Sequence, residues 1–236
     1  EYYFKTLCAV LKALGYSWAE KCYHLSYGMV ELPTGRMKSR EGTVVDADNL
    51  VQDVINLAVV EIRTKHGNTL PEEEIADRAT KIGLGAIKFY LLKANPKNKI
   101  LFNPKESISF DGVTGPYIQY AYARAVSIAE KAAREGVFVN SSNFSLLGSN
   151  WEERLLAQKL VLFADSVGKA ASSYNPSILA DAVYELAKVF HRFYNKHQVV
   201  VDDAKLTGQR LALINATAQT LKKGLSLLGI DVLRKM

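Results

Sequence analysis

From Gly115 to the last residue, apolar side chains recur at three- and four-residue spacing, and nothing in that half of the chain reads as a strand. Pro116 to Arg134 opens with proline near its first turn, the position where a missing N–H costs nothing. A Ser/Asn-rich connector, Gly136 to Asn150, follows. Three long amphipathic helices are then predicted over Trp151 to Ser173, Pro176 to His197 and Asp203 to Leu228. Each carries one apolar face, which the others must cover, so the carboxyl half is expected to be an α-helical bundle. Leu211, Leu213 and Leu221 belong to its core.

The amino half is mixed. Phe4, Leu7, Cys8, Leu11 and Leu14 mark an amphipathic helix over Tyr2 to Leu14, ended by Gly15. A short apolar strand is predicted over His24 to Val30, aimed at the segment Leu32 to Leu50. Helix, strand and then a ligand-seeking loop is the pattern of the last part of an open α/β sheet, where ligands sit at the carboxyl ends of the strands. Asp46 or Asp48 can cap a helix running to about Lys65, with Leu50, Val54, Leu57, Ala58 and Ile62 on one face and Gly67 and Asn68 at its end. Pro71 and the acidic turn Glu72, Glu73 and Glu74 begin the next helix, which passes Ile75, Ile82, Ile87 and Tyr90 and ends near Lys93. Asn95 to Phe110 reads as a proline-interrupted, partly extended link. The domain division expected from this is 1–50, 51–110 and 111–236.

Within Leu32 to Leu50, Pro33 and Gly35 break local structure, and Arg36, Lys38 and Arg40 place three cations within five residues before Gly42. Such a loop can bind a polyphosphate through charge-assisted hydrogen bonds and close on it as negative charge builds up. A solvated basic hairpin is the other reading.

Lys plus Arg outnumber Asp plus Glu by 30 to 24, a net +6. That excess permits a polyanionic partner without requiring one. A length of 236 residues allows one large or two ordinary domains. With 48% hydrophobic residues and a mean hydropathy of -0.03, the composition is that of a soluble globular protein. No stretch approaches the roughly 18 apolar residues of a spanning helix. Glu1 in place of Met reads as a cut inside a longer protein. Cys8 and Cys22 have no metal-ligand spacing and are expected to be buried, reduced thiols of a cytosolic protein. His24, His66, His191 and His197 show no paired spacing, and neither a Ser-His-Asp nor a zinc-ligand pattern occurs, so no metal site is expected.

Two further groups of residues could carry function. Tyr117, Tyr120 and Arg124, at i, i+3 and i+7, share one helical stripe, where aromatic rings beside a cation can stack unpaired bases and hold a phosphate backbone. A half-buried core stripe with Arg at its rim has the same spacing. At His191 to Lys196, Arg192, Tyr194 and Lys196 could form another edge of a polyanion groove, although cations also favour helix C-termini.

Four segments in order resemble arginyl-tRNA synthetases, which are class I aminoacyl-tRNA synthetases. HLSYGMVELPTGRMKSREGTVV is similar to the family's strand and KMSKS-type loop, and IGLGAIKFYLLKANPKNKILFNP to the helix and link after it. FDGVTGPYIQYAYAR resembles the YxQYxxxR helix. RLALINATAQTLKKGLSLLGIDVLRKM resembles the DALR anticodon-binding helix with its terminal Met.

The resemblance implies a mainly α chain: the end of a class I Rossmann-type catalytic domain, then a helical anticodon-binding domain. It implies an arginine-tRNA ligase that activates arginine with ATP, with Mg2+ accompanying ATP, and passes it to tRNA(Arg). A cytoplasmic monomer is expected. Lys38, Ser39 and Arg40 inherit the catalytic loop, and Met29, Val30, Arg36, Lys38 and Arg40 the ATP contacts. Tyr117, Tyr120, Arg124, Tyr194 and Met236 inherit the tRNA contacts. The loop departs from strict KMSKS, since Ser39 stands where the second Lys would be, and either Lys38 or Arg40 takes that role. No HIGH-type motif occurs in the 236 residues, so this stretch alone is expected to bind tRNA without charging it. A non-catalytic tRNA-binding module and another class I synthetase with the same helical domain, such as the cysteine enzyme, are the alternatives.

Overall fold

The structure, a computed structural model, describes residues 2–33, 46–67, 69–137 and 150–236. Its elements in chain order are α1 (Tyr2–Ala13), a 3-10 turn (Ala19–Lys21), β1 (Val30–Glu31), α2 (Ala47–His66) and α3 (Glu72–Leu92). They are followed by β2 (Ile100–Leu101), α4 (Pro104–Ser107), α5 (Gly115–Arg134), α6 (Trp151–Ser172), α7 (Pro176–Lys196) and α8 (Ala204–Leu227). The mainly α architecture expected from the sequence is what forms.

Helix starts follow local chemistry. The Asp46 carboxylate accepts from the Asp48 N–H at 3.0 Å, and the Asp203 carboxylate accepts from Lys205 and Leu206 at 2.9 and 3.1 Å. Thr114 and Asn175 cap α5 and α7, whose first turns hold Pro116 and Pro176. These side chains satisfy N–H groups that a helix cannot pair internally.

Two apolar cores result, joined through α3. One lies among α5, α6, α7 and α8, with Ile118, Leu186, Phe190, Phe193, Ile214 and Leu221 all fully enclosed. The three leucines assigned to it, Leu211, Leu213 and Leu221, are buried there. The second core packs α2 on α3 through Val54, Ala58, Ile62 and Ile82, closed by Phe102 and by Leu233 from the carboxyl-terminal tail. Helix α3 reaches both because α5 approaches it closely. A Cβ on Gly115 would lie 2.4 Å from the Gly85 carbonyl oxygen, so only glycine permits this crossing.

The amino-terminal expectations need correction. Strand β1 covers Val30–Glu31 alone and not His24 to Val30; it pairs in parallel with β2 in the register Val30 to Ile100 and Glu31 to Leu101. Its partner is only two residues long, so the ladder has nothing to extend on. Just before it, the Gly28 N–H meets the Pro96 carbonyl at 2.6 Å. Helix α1 forms where predicted, yet buries no residue: Phe4, Leu7 and Leu14 are 50%, 51% and 67% exposed. Cys8 is half-buried and Cys22 exposed, so the thiols are free but not enclosed, for the same reason. Among the described residues no helix is long and apolar enough to cross a membrane.

Candidate nucleic-acid interface

Helix α5 carries Tyr117, Tyr120 and Arg124 on the side facing α7. The half-buried Tyr117 ring stands edge-on to His191, 4.7 Å between centroids, and leans on Tyr184 at 5.6 Å. Burial, followed by the nearby Tyr184, Asp111 and Glu185, raises the Tyr117 phenol above its ordinary pKa, which keeps it a neutral hydrogen-bonding ring. Tyr120 is 39% exposed, with its centroid 5.8 Å from His191. Arg124 donates to the Tyr194 hydroxyl and lies over that ring, 4.5 Å from its centroid. Three of the inherited tRNA positions on α5 and one on α7 thus converge. Part of the stripe is also packing, because Tyr117 contacts the bundle core.

His191 is the residue that the sequence left out. It supports Tyr117 and Tyr120 from below, and its Nε2 is buried without a hydrogen-bond partner among the described residues. Burial, with Arg124 nearby, lowers its pKa, so the ring is neutral at neutral pH. A lone histidine on an apolar face carried no signal beyond its spacing of seven from Tyr184.

Met236 reaches the same region through the carboxyl-terminal tail. Lys88 Nζ donates to the Gly229 carbonyl at 2.5 Å, and Gln119 Nε2 donates to Asp231 O at 2.8 Å and Lys81 O at 3.1 Å. Arg234 pairs with Glu130 at 2.5 Å. Gln119 is fully buried, so the glutamine of YxQYxxxR fixes the tail between α3 and α5 while the neighbouring Tyr120 stays exposed. Beyond it, a cleft of about 500 Å3 is lined by Tyr120, Arg124, Arg234, Lys235 and Met236 and by Arg78, with Glu74 the acidic side chain among its described residues. Cations so placed favour a polyanion.

The edge proposed at Arg192, Tyr194 and Lys196 divides in two. Tyr194 joins Arg124, whereas Lys196, Arg192 and His197 gather on Glu152 at 2.7, 3.7 and 3.3 Å. Hydrogen bonds from Lys196 and His197 hold the Glu152 carboxyl down to about 2. Next to it, buried Glu153 accepts from Arg210 Nε at 2.8 Å, and Arg210 also donates to the Gln198 carbonyl at 2.5 Å. These cations tie α6 to α7 and α8. The acidic pair opening α6 was visible in the sequence, but its partners lie 44 and 57 positions away.

Of the ATP-site positions, Met29 is 62% exposed and accepts through its carbonyl from the Ile100 N–H at 2.9 Å, and Val30 opens β1. Arg36, Lys38, Ser39 and Arg40 lie outside the described residues. Among the described residues no group of three or more His, Cys, Asp or Glu side chains is placed to hold a metal ion. His24 stacks on Phe4 at 4.1 Å.

Residues 118–236 match the DALR anticodon binding domain, and residues 1–104 match the catalytic domain of class I (R) tRNA synthetases. An arginine–tRNA ligase of Porphyromonas gingivalis is 41% identical over 238 aligned positions, and one of Bacteroides fragilis is 42% identical over 240; each alignment takes in all of this chain and 40% of the relative. The arginyl-tRNA synthetase of Thermus thermophilus superposes with a TM-score of 0.85 at 32% identity, covering 97% of this chain and 38% of that one. The Plasmodium falciparum enzyme shares the fold, with a TM-score of 0.78 at 21% identity over 99% of this chain and 39% of its own. The chain therefore spans about 40% of the length of the curated relatives it matches. With arginine–tRNA ligases aligned along its whole length and a DALR domain over half of it, the chain belongs to the arginyl-tRNA synthetase family.

Proposed function

We propose that these residues form the tRNA-binding, carboxyl-terminal portion of an arginine–tRNA ligase, which activates arginine with ATP and transfers it to tRNA(Arg) in the cytoplasm. The observation that carries the reading is the convergence of Tyr120, Arg124 and Met236 on one cationic cleft. Tyr117 and Tyr120 offer ring faces to unstacked bases, Arg124 and Tyr194 hold the backbone or a base edge, and Met236 closes the end of the cleft. The basic loop at Arg36, Lys38, Ser39 and Arg40 stabilises the polyphosphate as pyrophosphate leaves, with Met29 and Val30 beside the nucleotide; removing one such donor typically costs about 3 kcal/mol of transition-state stabilisation. Mg2+ accompanies ATP. The functional division runs 1–50, 51–110 and 111–236, and the protein acts as a monomer.

The test has two arms. Residues 1–236 should bind tRNA(Arg) more tightly than the same tRNA with its anticodon replaced, and should not charge it. The full-length protein should attach arginine to tRNA. Equal affinity for both tRNAs would overturn the anticodon assignment, and a full-length protein that binds tRNA but charges nothing would make it a non-catalytic module.

A further inference from the structure

The turn between α6 and α7 carries an aromatic ring at a position suited to glycine. Among the described residues Tyr174 is the one non-glycine residue with a positive φ, 51°. Its N–H reaches the Ala171 carbonyl at 3.2 Å and the Asn175 N–H reaches the Ala170 carbonyl at 3.0 Å, the two bonds that end a helix through a left-handed residue. A Cβ crowds the backbone in that conformation, which is why glycine usually fills it. The Asn175 side chain then accepts from the Ser177 N–H at 3.2 Å, and Pro176 starts α7. The turn closes through its backbone and Asn175, so nothing within it calls for a tyrosine at 174.

The ring finds its partner far away in the sequence. It stacks on Tyr23, with 4.2 Å between centroids and 21° between planes. Both rings are more than half exposed, so neither is core packing. Tyr23 lies in the stretch matched to the catalytic domain and Tyr174 in the stretch matched to the anticodon-binding domain. From Tyr23 to Tyr27 the backbone bonds only locally among the described residues, Ser26 N–H to the His24 carbonyl at 3.0 Å. His24 itself stacks on Phe4 of the exposed α1. Bonds across to Pro96 and Ile100 begin at Gly28 and Met29. The segment is therefore tied to the link at its far end and to the Tyr174 ring at its near end.

We infer that Tyr174 is a positioning residue of the nucleotide site: its ring, stacked on Tyr23, braces the Tyr23–Val30 segment against the tip of the helical bundle and so fixes Met29 and Val30 beside the nucleotide. The part played in the reaction rests on the ligase reading above; the brace does not. A tyrosine persists in the left-handed position because a contact outside the turn requires it.

The test uses a variant that keeps the turn and removes the ring. Tyr174→Gly suits the left-handed position, so the helical hairpin should keep or gain stability. In the 236-residue protein, amide hydrogen exchange read by NMR should speed up about 2- to 12-fold at Gly28 and Ile100, the fold-change of an aromatic pair contributing ~0.5–1.5 kcal/mol. Tyr23→Ala should do the same, and the two together no more than either alone. Tyr174→Phe keeps the ring and should exchange like the parent protein. Core amides of α7, such as that of buried Phe190, should not speed up in any of these. In the full-length protein, Tyr174→Gly should raise KM for ATP in arginine attachment to tRNA by the same factor, with kcat and KM for arginine unchanged. Unchanged exchange at Gly28 and Ile100, additive effects, a Tyr174→Phe variant that behaves like Tyr174→Gly, or faster exchange throughout α7 would overturn the brace. Faster exchange with an unmoved KM for ATP would overturn its part in the nucleotide site. A full-length parent protein that attaches no arginine would overturn the ligase reading and that part with it, while the amide measurement still decides the brace.

Discussion

Gln119 Nε2 lies 2.8 Å from the carbonyl oxygen of Asp231, a residue 112 positions further along the chain. The same amide nitrogen reaches Lys81 O at 3.1 Å, so one buried side chain joins α3, α5 and the tail that carries Met236. The exposed cleft is therefore set by a residue that no ligand can touch.

Gln119→Leu should leave the Lys81 and Asp231 carbonyl groups, both partly buried under this side chain, without that donor. A lost neutral hydrogen bond costs about 0.5–1.5 kcal/mol, so a lowered urea midpoint at unchanged m-value is expected. The tail should become more accessible to protease, and RNA affinity should fall although no surface residue has changed.

Tyr120 and Tyr117 should separate binding from packing. Tyr120→Ala, at a 39% exposed site, should weaken RNA binding by about 1–3 kcal/mol per lost stack with little change in melting temperature. Tyr117→Ala should lower the melting temperature as well, since its ring supports Tyr184 and His191. Equal melting losses in both variants would make the whole stripe core.

Much of this was legible in advance, for physical reasons. Helices α2, α3, α5, α6, α7 and α8 announced themselves because their caps and breakers, such as Asp46, Gly67, Pro116 and Asp203, are local. Tyr117, Tyr120 and Arg124 could be grouped because helical spacing alone puts them on one face. His191, Gln119 and Glu153 could not, since each acquires its role from a neighbour on another helix. The amino-terminal segment misled in the other direction: its apolar pattern is real, but among the described residues Phe4, Leu7 and Leu14 stay half or more exposed, with His24 stacked on Phe4 alone of the three.

Stability should fall in two steps on acidification. The folded state lowers the His191 pKa below 6.5, so the unfolded chain takes up a proton first, and stability declines as pH drops below about 6.5 toward the folded value. Glu152 is held at about 2 against an ordinary 4.5, so its contribution is complete above 4.5 and lost as pH falls from there toward 2. Urea titrations across pH should show both limbs. His191→Phe should remove the first and Glu152→Gln the second; an unchanged profile in either variant would exclude that group as the cause.

Arg210 and Glu153 offer the sharpest test of how the bundle is fastened. Glu153 is fully buried and Arg210 is 6% exposed, with 2.8 Å between Nε and Oε1. Such a pair recovers in mutual attraction much of what it loses by leaving water, so its net stabilisation is small, whereas a stranded partner is costly. Arg210→Met should therefore destabilise by about 3–5 kcal/mol, because it leaves the Glu153 carboxylate buried beside hydrocarbon and also frees the Gln198 carbonyl. Adding Glu153→Leu removes the stranded charge and should return most of that loss. The measurement is a double-mutant cycle by urea unfolding. A double variant no more stable than Arg210→Met alone would mean that the Arg210 bond to Gln198, and not the ion pair, holds α8 against the α7 end.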